Sequence, residues 1–259
     1  MKYEYCINYE TALHTQLKVK LNLKPSMSEQ KINVKVGVLA LQGSFKEHES
    51  HLKKLFELLQ NDPKYSKYKL AVCRVKDRSD LDALNGIILC GGESTTTTIL
   101  LQRNYLLKPL RELITKKHLP AWGTCCGLIL LSNDVTNNNA KQLGDLNYEC
   151  IGGLDVTVSR NSFGRQLESF TEAIDYTEAT DNRIKKFDSV FIRAPTITKI
   201  YDNNHTRVLA TITKGEQKLI VGAMNRTVLG TSFHPELVQG DYRFHEWFLD
   251  HFVLKNLNS

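Results

Sequence analysis

The sequence contains no apolar stretch near the ~18 residues that a membrane-spanning helix needs. Its first 35 residues lack the apolar core of a secretory signal, and they include Glu4 and Glu10 but no Arg, unlike a typical mitochondrial presequence. We therefore expect no membrane association and a cytoplasmic location.

No run of five or more Lys or Arg residues is present either, although the formal net charge is +6. Residues 1–35 hold six Lys and three acidic residues, so half of the net positive charge lies there. Because the remainder of the chain is only mildly basic, we expect no nucleic-acid partner.

No two of the six cysteines form a Cys-x-x-Cys pair. A chain of 259 residues is long enough to build a sizeable core without disulfide staples. We expect free thiols in a reducing cytosol, available for chemistry, at Cys6, Cys73, Cys90, Cys125, Cys126 and Cys150.

Short apolar runs alternate with amphipathic segments from Val34 onward. The runs predict strands at 34–41, 70–75, 86–89, 119–122, 155–158, 189–193, 208–213, 219–223 and 228–233. Helices are predicted after a capping Ser44, across 94–117, from 128 and across 242–254. Alternating strands and helices predict a three-layer α/β/α fold with a mostly parallel central sheet.

Residues 1–33 differ from the rest because they show no sustained helical or strand period, and Lys24-Pro25-Ser26 is a break. We interpret 1–33 as a loosely packed N-terminal tail and 34–259 as the functional domain. Met27 is an internal methionine ahead of that domain, so we expect residues 1–26 to be dispensable.

The segment Gly123-Thr124-Cys125-Cys126-Gly127 follows a predicted strand and precedes a predicted helix. This is the cysteine form of a nucleophile elbow, in which glycines two positions before and after the nucleophile let the backbones approach. The pattern predicts Cys125 as nucleophile, Cys126 buried, and the Cys126 backbone N–H in an oxyanion hole. A buried cysteine pair in a glycine-flanked turn is the alternative, and the pentapeptide alone does not decide.

His234-Pro235-Glu236 follows another predicted strand, at the sheet edge where catalytic groups gather. In extended backbone, positions i and i+2 face the same side, so Glu236 is predicted to orient His234 toward the thiol. A solvated turn is the commoner meaning of an isolated His-Pro-Glu, and the upstream elbow cysteine favours catalysis here.

Gly91-Gly92-Glu93-Ser94 occupies the same position after a third strand. Paired glycines let backbone N–H groups turn toward an anion, although an ordinary loop capped by Ser94 is also possible.

His48 and His51 lie three residues apart on the first predicted helix. A solvated helix face is the favoured interpretation of that pair, and no metal site is predicted.

Together these motifs resemble the glutaminase subunit of pyridoxal 5′-phosphate synthase, a class I triad glutamine amidotransferase. The similarity covers about residues 34–254. It rests on residues 36–43, 91–95, 122–125, 160–166 (Arg-Asn-Ser-Phe-Gly-Arg-Gln), 191–195 (Phe-Ile-Arg-Ala-Pro), 232–236 and 243–248, the last of which is similar to fungal members.

The resemblance implies a triad of Cys125, His234 and Glu236, with Gly92 and Cys126 as backbone oxyanion donors. It implies L-glutamine contacts from Gly92, Glu93, Ser94, Arg160, Ile192 and Arg193. A free amino acid carries a carboxylate and an ammonium, which Arg160 or Arg193 and Glu93 suit chemically.

The resemblance also implies an obligate partner, a (β/α)₈-barrel synthase subunit that combines the ammonia with a pentose phosphate and a triose phosphate. Pyridoxal phosphate is then the product of the complex, and no cofactor is expected in this chain.

Two positions depart from the family pattern: Cys90 replaces a usual Pro, and Cys126 replaces a usual Ala. Other amide substrates or a purely scaffolding role are the alternatives, and the complete Cys125, His234 and Glu236 set argues against scaffolding.

Overall fold

A computed structural model describes residues 30–136, 148–160, 162 and 169–258. Most of the predicted tail and residues 161 and 163–166 of the Arg-Asn-Ser-Phe-Gly-Arg-Gln motif lie outside the described residues. Within the described ranges, no helix is long and apolar enough to cross a membrane.

The described strands are β1 Ile32–Leu39, β2 Tyr68–Val75, β3 Gly86–Leu89, β4 Ala121–Thr124, β5 Ser132–Thr136, β6 Leu154–Ser159, β7 Ser169–Asp175, β8 Lys186–Ile192, β9 Thr196–Ile200, β10 Arg207–Lys214, β11 Gln217–Met224 and β12 Val228–Thr231. The helices are α1 Phe45–Leu59, α2 Ser94–Arg103, α3 Leu107–Thr115, α4 Cys126–Leu131, α5 Arg243–Phe248 and α6 Lys255–Leu257. A π-helical segment, Leu249–Leu254, joins α5 to α6.

The main sheet has the order β2-β1-β3-β4-β12-β11-β9-β6-β5, with β10 paired to β11. It is parallel from β2 to β12 and again between β5 and β6, and antiparallel around β11 and β9. Strands β7 and β8 form a separate antiparallel pair. The predicted α/β fold is confirmed, with an antiparallel section that the strand pattern did not predict.

Helices cover the two faces of the sheet. Strand β1 directs Val34, Val36 and Val38 to one face, where they pack with α1, α5 and the β7–β8 pair. Strand β3 directs Ile87 and Leu89 to the opposite face, where they pack with α2, α3 and α4. This alternation is the two-residue period of a strand buried on both sides.

Several predicted boundaries move. The helix predicted across 94–117 is two helices, because the chain turns at Tyr105, whose φ is 55°. Strand β12 ends at Thr231, two residues earlier than predicted. These ends place the loops after β3, β4 and β12 side by side at one edge of the sheet, because the three strands are parallel neighbours.

Candidate active site

Cys125 occupies a sharp turn between β4 and α4. Its φ of 48° and ψ of −101° are unusual for a residue with a side chain, a strain of the kind found at functional sites. The flanking glycines make the turn possible. A Cβ on Gly123 would lie 2.3 Å from the Gly127 carbonyl carbon, and one on Gly127 would lie 1.9 Å from the Leu89 oxygen. The predicted elbow geometry is therefore present.

The thiol of Cys126 points away from this turn into the core, as predicted. The residue is fully buried and its Sγ lies 3.7 Å from Oγ1 of Thr97. Burial raises the pKa of this thiol well above its usual value, which makes it a poor nucleophile. Cys126 is also the first residue of α4, so its backbone N–H has no acceptor within the helix.

His234 is fixed at both backbone and side chain. Its N–H donates to the Val190 carbonyl at 2.8 Å, and Nδ1 lies 2.8 Å from Oε1 of Glu236. The prediction that Glu236 contacts His234 is correct, but the predicted extended backbone is wrong. Residues Pro235–Leu237 form a 3₁₀ turn, and this turn brings the carboxylate back beneath the imidazole.

The second ring nitrogen of His234, Nε2, is the one available to interact with the Cys125 thiol. Nε2 is buried and has no fully aligned hydrogen bond among the described residues. Burial lowers the pKa of His234, but interactions with the Cys125 thiol and the Glu236 carboxylate outweigh it and raise the pKa to about 10. This balance favours a positively charged imidazole beside the sulfur.

Glu236 is buried and held from two directions. Oε1 accepts a hydrogen bond from the Ser44 hydroxyl at 2.6 Å, and Oε2 lies 3.2 Å from Nε2 of His48. Burial would raise the pKa of this carboxyl group, but His48 and His234 hold it well below its usual range. Ser44 was predicted to cap α1, and it occupies the N-cap position. Its hydroxyl makes no capping hydrogen bond and donates to Glu236 instead.

A pocket of about 360 Å³ opens above Cys125. It is lined by Gln42, Gly92, Glu93, Ser94, Cys125, Ile129, Arg160, Ile192, Arg193 and His234. All six residues predicted to contact glutamine are among them, together with the predicted nucleophile and base. Cys90 and Cys126, the two departures from the family pattern, do not line the pocket.

The pocket lining carries side chains of opposite charge. Nη2 of Arg160, which follows β6, lies 3.0 Å from Oε1 of Glu93, which precedes α2. Arg193 follows β8 with a φ of 44°, a backbone conformation that costs energy for a residue with a side chain. A cation and an anion therefore stand within reach of a zwitterionic amino acid placed over Cys125.

A family model, that of the SNO glutamine amidotransferase family, matches residues 38–254. The chain belongs to this family. It is 40% identical over 232 residues to a Saccharomyces cerevisiae protein named probable pyridoxal 5′-phosphate synthase subunit SNO3, covering 88% of this chain and 100% of the relative. It is 39% identical to a Staphylothermus marinus protein named pyridoxal 5′-phosphate synthase subunit PdxT, covering 86% and 100%.

A solved structure described as a glutamine amidotransferase has the same fold. It superposes with a TM-score of 0.64 at 34% sequence identity, covering 83% of this chain and 97% of the solved one. The fold class and the membership in the SNO glutamine amidotransferase family thus agree with the resemblance found in the motifs.

In this SNO-family chain, the Gly91–Gly92 peptide contacts the N-terminus of α1, and Gly92 lines the pocket. The Gly91 carbonyl accepts from the Ser44 N–H at 3.0 Å and from its hydroxyl at 3.4 Å. A Cβ on Gly92 would lie 2.2 Å from Oε1 of Gln42. The same amide oxygen accepts from the Glu93 N–H at 3.2 Å, so Gln42 shapes this wall of the pocket.

Four residues near the site were missed or misinterpreted from sequence. Gln42 and Ile129 line the pocket without having been predicted, although Gln42 lies in one of the matched motifs. The expectation of a solvated face at His48 and His51 is wrong, because their exposed fractions are 0% and 7%. Within the described ranges, no group of three or more His, Cys, Asp or Glu side chains could hold a metal ion.

Proposed function

We propose that this chain is a glutaminase subunit that hydrolyses L-glutamine to L-glutamate and ammonia and delivers the ammonia to a pyridoxal 5′-phosphate synthase. The observation that carries the proposal is the single pocket that contains Cys125, His234 and the Glu93–Arg160 ion pair. The pocket thus holds a nucleophile beside its base. It also holds an anionic and a cationic side chain that suit the two charges of an amino acid.

The first half of the reaction forms a thioester. The Cys125 sulfur attacks the side-chain amide carbon of glutamine, and the carbonyl oxygen becomes an oxyanion. The backbone N–H groups of Gly92 and Cys126 are the proposed donors to that oxygen. His234 then gives its proton to the amide nitrogen, the carbon–nitrogen bond breaks, and ammonia leaves.

The second half returns the enzyme to its starting state. His234, now neutral at Nε2, takes a proton from water, and the hydroxide oxygen attacks the thioester carbon. The carbon–sulfur bond breaks, glutamate leaves, and the thiolate again faces a protonated imidazole. Glu236 keeps Nδ1 protonated throughout because a carboxylate oxygen at 2.8 Å can only accept that hydrogen.

Substrate recognition is proposed to use the charged walls. Arg160 or Arg193 binds the α-carboxylate, and Glu93 binds the α-ammonium, with Gly92, Ser94 and Ile192 completing the contact surface. Nη2 of Arg160 and Oε1 of Glu93 lie 3.0 Å apart. A bound amino acid would exchange this one ion pair for two, with its own carboxylate and ammonium between the side chains.

The proposed partner is a synthase subunit with a (β/α)₈ barrel that consumes the ammonia. Support comes from the names of the relatives, which are described as subunits of pyridoxal 5′-phosphate synthase and match over 100% of their own length. The product coenzyme forms in the partner, so this chain needs no cofactor. The cysteines of the described ranges are free thiols, which suits the cytoplasmic location expected from sequence.

Glutamine hydrolysis by the purified chain, with and without a synthase subunit, tests the proposal. Ammonia should be released from glutamine labelled with ¹⁵N at the side-chain amide, and not from asparagine, whose carbonyl is one methylene closer to the charged groups. A Cys125→Ala variant is the matched control for contaminating glutaminase. No release from glutamine under either condition, or equal release from asparagine, would contradict the proposal.

A further inference from the structure

Next to Glu236 lies a cluster of buried histidines that the proposed reaction does not use. His48 is fully buried in α1, and His245 is fully buried in α5. Nδ1 of His48 lies 2.9 Å from Nε2 of His245, and Nε2 of His48 lies 3.2 Å from Oε2 of Glu236. A continuous line of polar atoms therefore runs from the triad into the core.

The direction of hydrogen bonding along this line follows from the carboxylate. Oε2 of Glu236 can only accept, so Nε2 of His48 must carry a hydrogen; a bare nitrogen there would face a negative oxygen. The contact is an ion-pair distance rather than an aligned hydrogen bond, since the same Nε2 also lies 3.2 Å from Oγ1 of Thr124. The Nε2 hydrogen is therefore aligned with Thr124 Oγ1 and stabilises the Glu236 carboxylate as a charge contact.

The other end of the line sets the remaining tautomer. Burial and the nearby His48 and His51 hold the pKa of His245 well below its usual value, so its ring is neutral. A neutral ring has one N–H. Among the residues that the structure describes, Nε2 of His245 has a partner and the buried Nδ1 has none. His245 therefore donates to Nδ1 of His48, and His48 donates onward from Nε2.

We propose that His48 and His245 are positioning residues that extend the triad: His245 orients His48, and the Nε2 hydrogen of His48 lies against Oε2 of Glu236, which keeps that carboxylate ionised and fixes it while Oε1 orients His234. Ser44 acts on the same carboxylate from the start of the same helix, at Oε1. Helix α1 thus presents Ser44 and His48, one turn apart, to the two oxygens of one side chain. This inference rests on the proposed function for its kinetic readout only.

A purely structural role does not explain this arrangement. The side chains packed around His48 include the apolar ring of Trp122, whose centroid lies 5.7 Å from that of the imidazole. Burying imidazoles there costs desolvation that an apolar side chain of similar volume would avoid. Placing the histidine nitrogen 3.2 Å from a catalytic carboxylate gives that cost a function.

Within the described ranges, few charged and titratable groups lie near the His48–His245 pair. Glu236 and His234 face it from the turn after β12, His245 from α5, and His51 from the next turn of α1. Cys90 faces Glu236 from the loop after β3, and burial raises the pKa of its thiol to about 12. Among these groups, His48 and His234 are the ones that lower the pKa of Glu236.

Two substitutions at position 48 separate the proposed role from packing. In His48→Gln the side-chain amide reaches the place of Nε2 and can still donate to Glu236. In His48→Asn the amide reaches only the place of Nδ1 and faces His245. We expect His48→Gln to keep wild-type kcat and His48→Asn to lower kcat by about tenfold, slightly below the effect of losing a full hydrogen bond to a charged group, because this contact is not fully aligned. KM for glutamine should be unchanged, because His48 does not line the pocket.

The second readout does not depend on glutaminase activity. The rate at which iodoacetamide alkylates Cys125, followed by mass spectrometry across pH, reports formation of the thiolate–imidazolium pair. With Glu236 less well held, that pair is less stable, so His48→Asn should move the acidic limb to higher pH and His48→Gln should not. His251→Asn, in a residue that stacks on Trp247 in the same C-terminal segment, is the control and should match wild type.

A difference between the Gln and Asn variants would support the proposed role of His48. Equal behaviour of the Gln and Asn variants, whether both like wild type or both impaired, would overturn the proposal, as would a change in KM alone. If neither variant folds by thermal unfolding, the pair His245→Gln and His245→Phe replaces them, with Gln expected to keep the alkylation profile and Phe to shift it. If wild type hydrolyses no glutamine, the proposed function fails while the alkylation profiles still decide the role of His48.

Discussion

Gly91 lies directly against the imidazole of His234: a Cβ at position 91 would stand 2.3 Å from Cε1 and 2.8 Å from Nδ1 of the ring. The paired glycines after β3 were interpreted from sequence as a loop that turns N–H groups toward an anion. Their contact with His234 shows a second reason for glycine. The loop after β3 and the turn after β12 can lie side by side only if position 91 has no side chain.

Gly91→Ala should therefore inactivate the enzyme without unfolding it. The added methyl would displace the His234 ring and lengthen its hydrogen bond to Glu236. A displacement of about 1 Å in a catalytic group costs about a hundredfold in rate. Glutamine hydrolysis and the thermal unfolding midpoint, measured together, test this. Gly215→Asn is the control, since no atom of the described residues lies within 4 Å of a Cβ at 215 and Asn tolerates its φ of 59°. Full activity of Gly91→Ala would show that the ring can move without loss.

Cys125 and Cys126 should respond in opposite ways to substitution by alanine. Cys125→Ala should abolish hydrolysis, because no thiol remains to form the thioester. Cys126→Ala should stay active, because its thiol is buried away from the pocket and alanine keeps the backbone N–H. A γ-glutamyl adduct on the intact protein, detected by mass spectrometry, locates the nucleophile. Activity in Cys125→Ala with loss in Cys126→Ala would place the nucleophile one residue later.

His234→Ala should reduce hydrolysis more than Glu236→Gln does. Alanine removes the group proposed to transfer the proton, whereas glutamine keeps a side-chain oxygen as acceptor for Nδ1 and loses only the negative charge. General acid–base transfer contributes typically ~10²–10⁴-fold, so kcat of His234→Ala should fall within that range. Steady-state kinetics of the two variants in the presence of the synthase provide the comparison, and wild-type activity of His234→Ala would remove it from the triad.

The sequence predicted best what a local pattern determines. Strand β3, an uninterrupted apolar run, was predicted with its observed ends. Strands β5, β7 and β9 were missed because they are short or half-exposed, with burial set by their partners rather than by their own composition. The antiparallel section around β11 follows from chain reversals whose direction no single segment encodes.

The same limit applies to the site. Each of the three motifs follows a strand, so their meeting at one sheet edge could be predicted from topology. The burial of His48 and His51 could not be predicted from sequence. Two histidines three residues apart on a helix look the same in sequence whether their side chains face water or a carboxylate that is distant along the chain. The role of Ser44 was missed for that reason too: as a helix cap it looked satisfied locally, while its hydroxyl contacts Glu236.

A chain that begins at Met27 should fold, bind the synthase and hydrolyse glutamine. The family match begins at residue 38, and the first described strand begins at Ile32, whose N–H donates to the Lys67 carbonyl at 2.9 Å. The shortened chain keeps all of these residues. Thermal unfolding, gel filtration with the synthase and the glutaminase assay would each be compared with the full chain. Loss of folding on truncation would show that residues 1–26 pack onto the domain.

The last prediction concerns control by the partner. Ammonia released without an acceptor is lost to protonation in water, so hydrolysis in the free subunit would waste glutamine. The Gly91–Gly92 peptide is a suitable element to control, because its N–H belongs to the proposed oxyanion donor Gly92. Its carbonyl is held at present by the backbone and hydroxyl of Ser44. Docking of the synthase would rotate this peptide. The Gly91 carbonyl would lose its contacts with Ser44, and the Gly92 N–H would point at the thioester oxygen.

We therefore expect slow hydrolysis by the isolated chain and a rise of at least about tenfold when the synthase is added, equivalent to roughly 1.4 kcal/mol in the barrier. A missing oxyanion donor typically costs more, ~10²–10³ in rate. Gly92→Val should suppress the activated rate while the complex still assembles by gel filtration, because a Cβ there would meet Gln42 at 2.2 Å and restrict the peptide. If the isolated chain already matches the rate of the complex, control by peptide rotation is wrong, and the roles of Cys125 and His234 are unaffected.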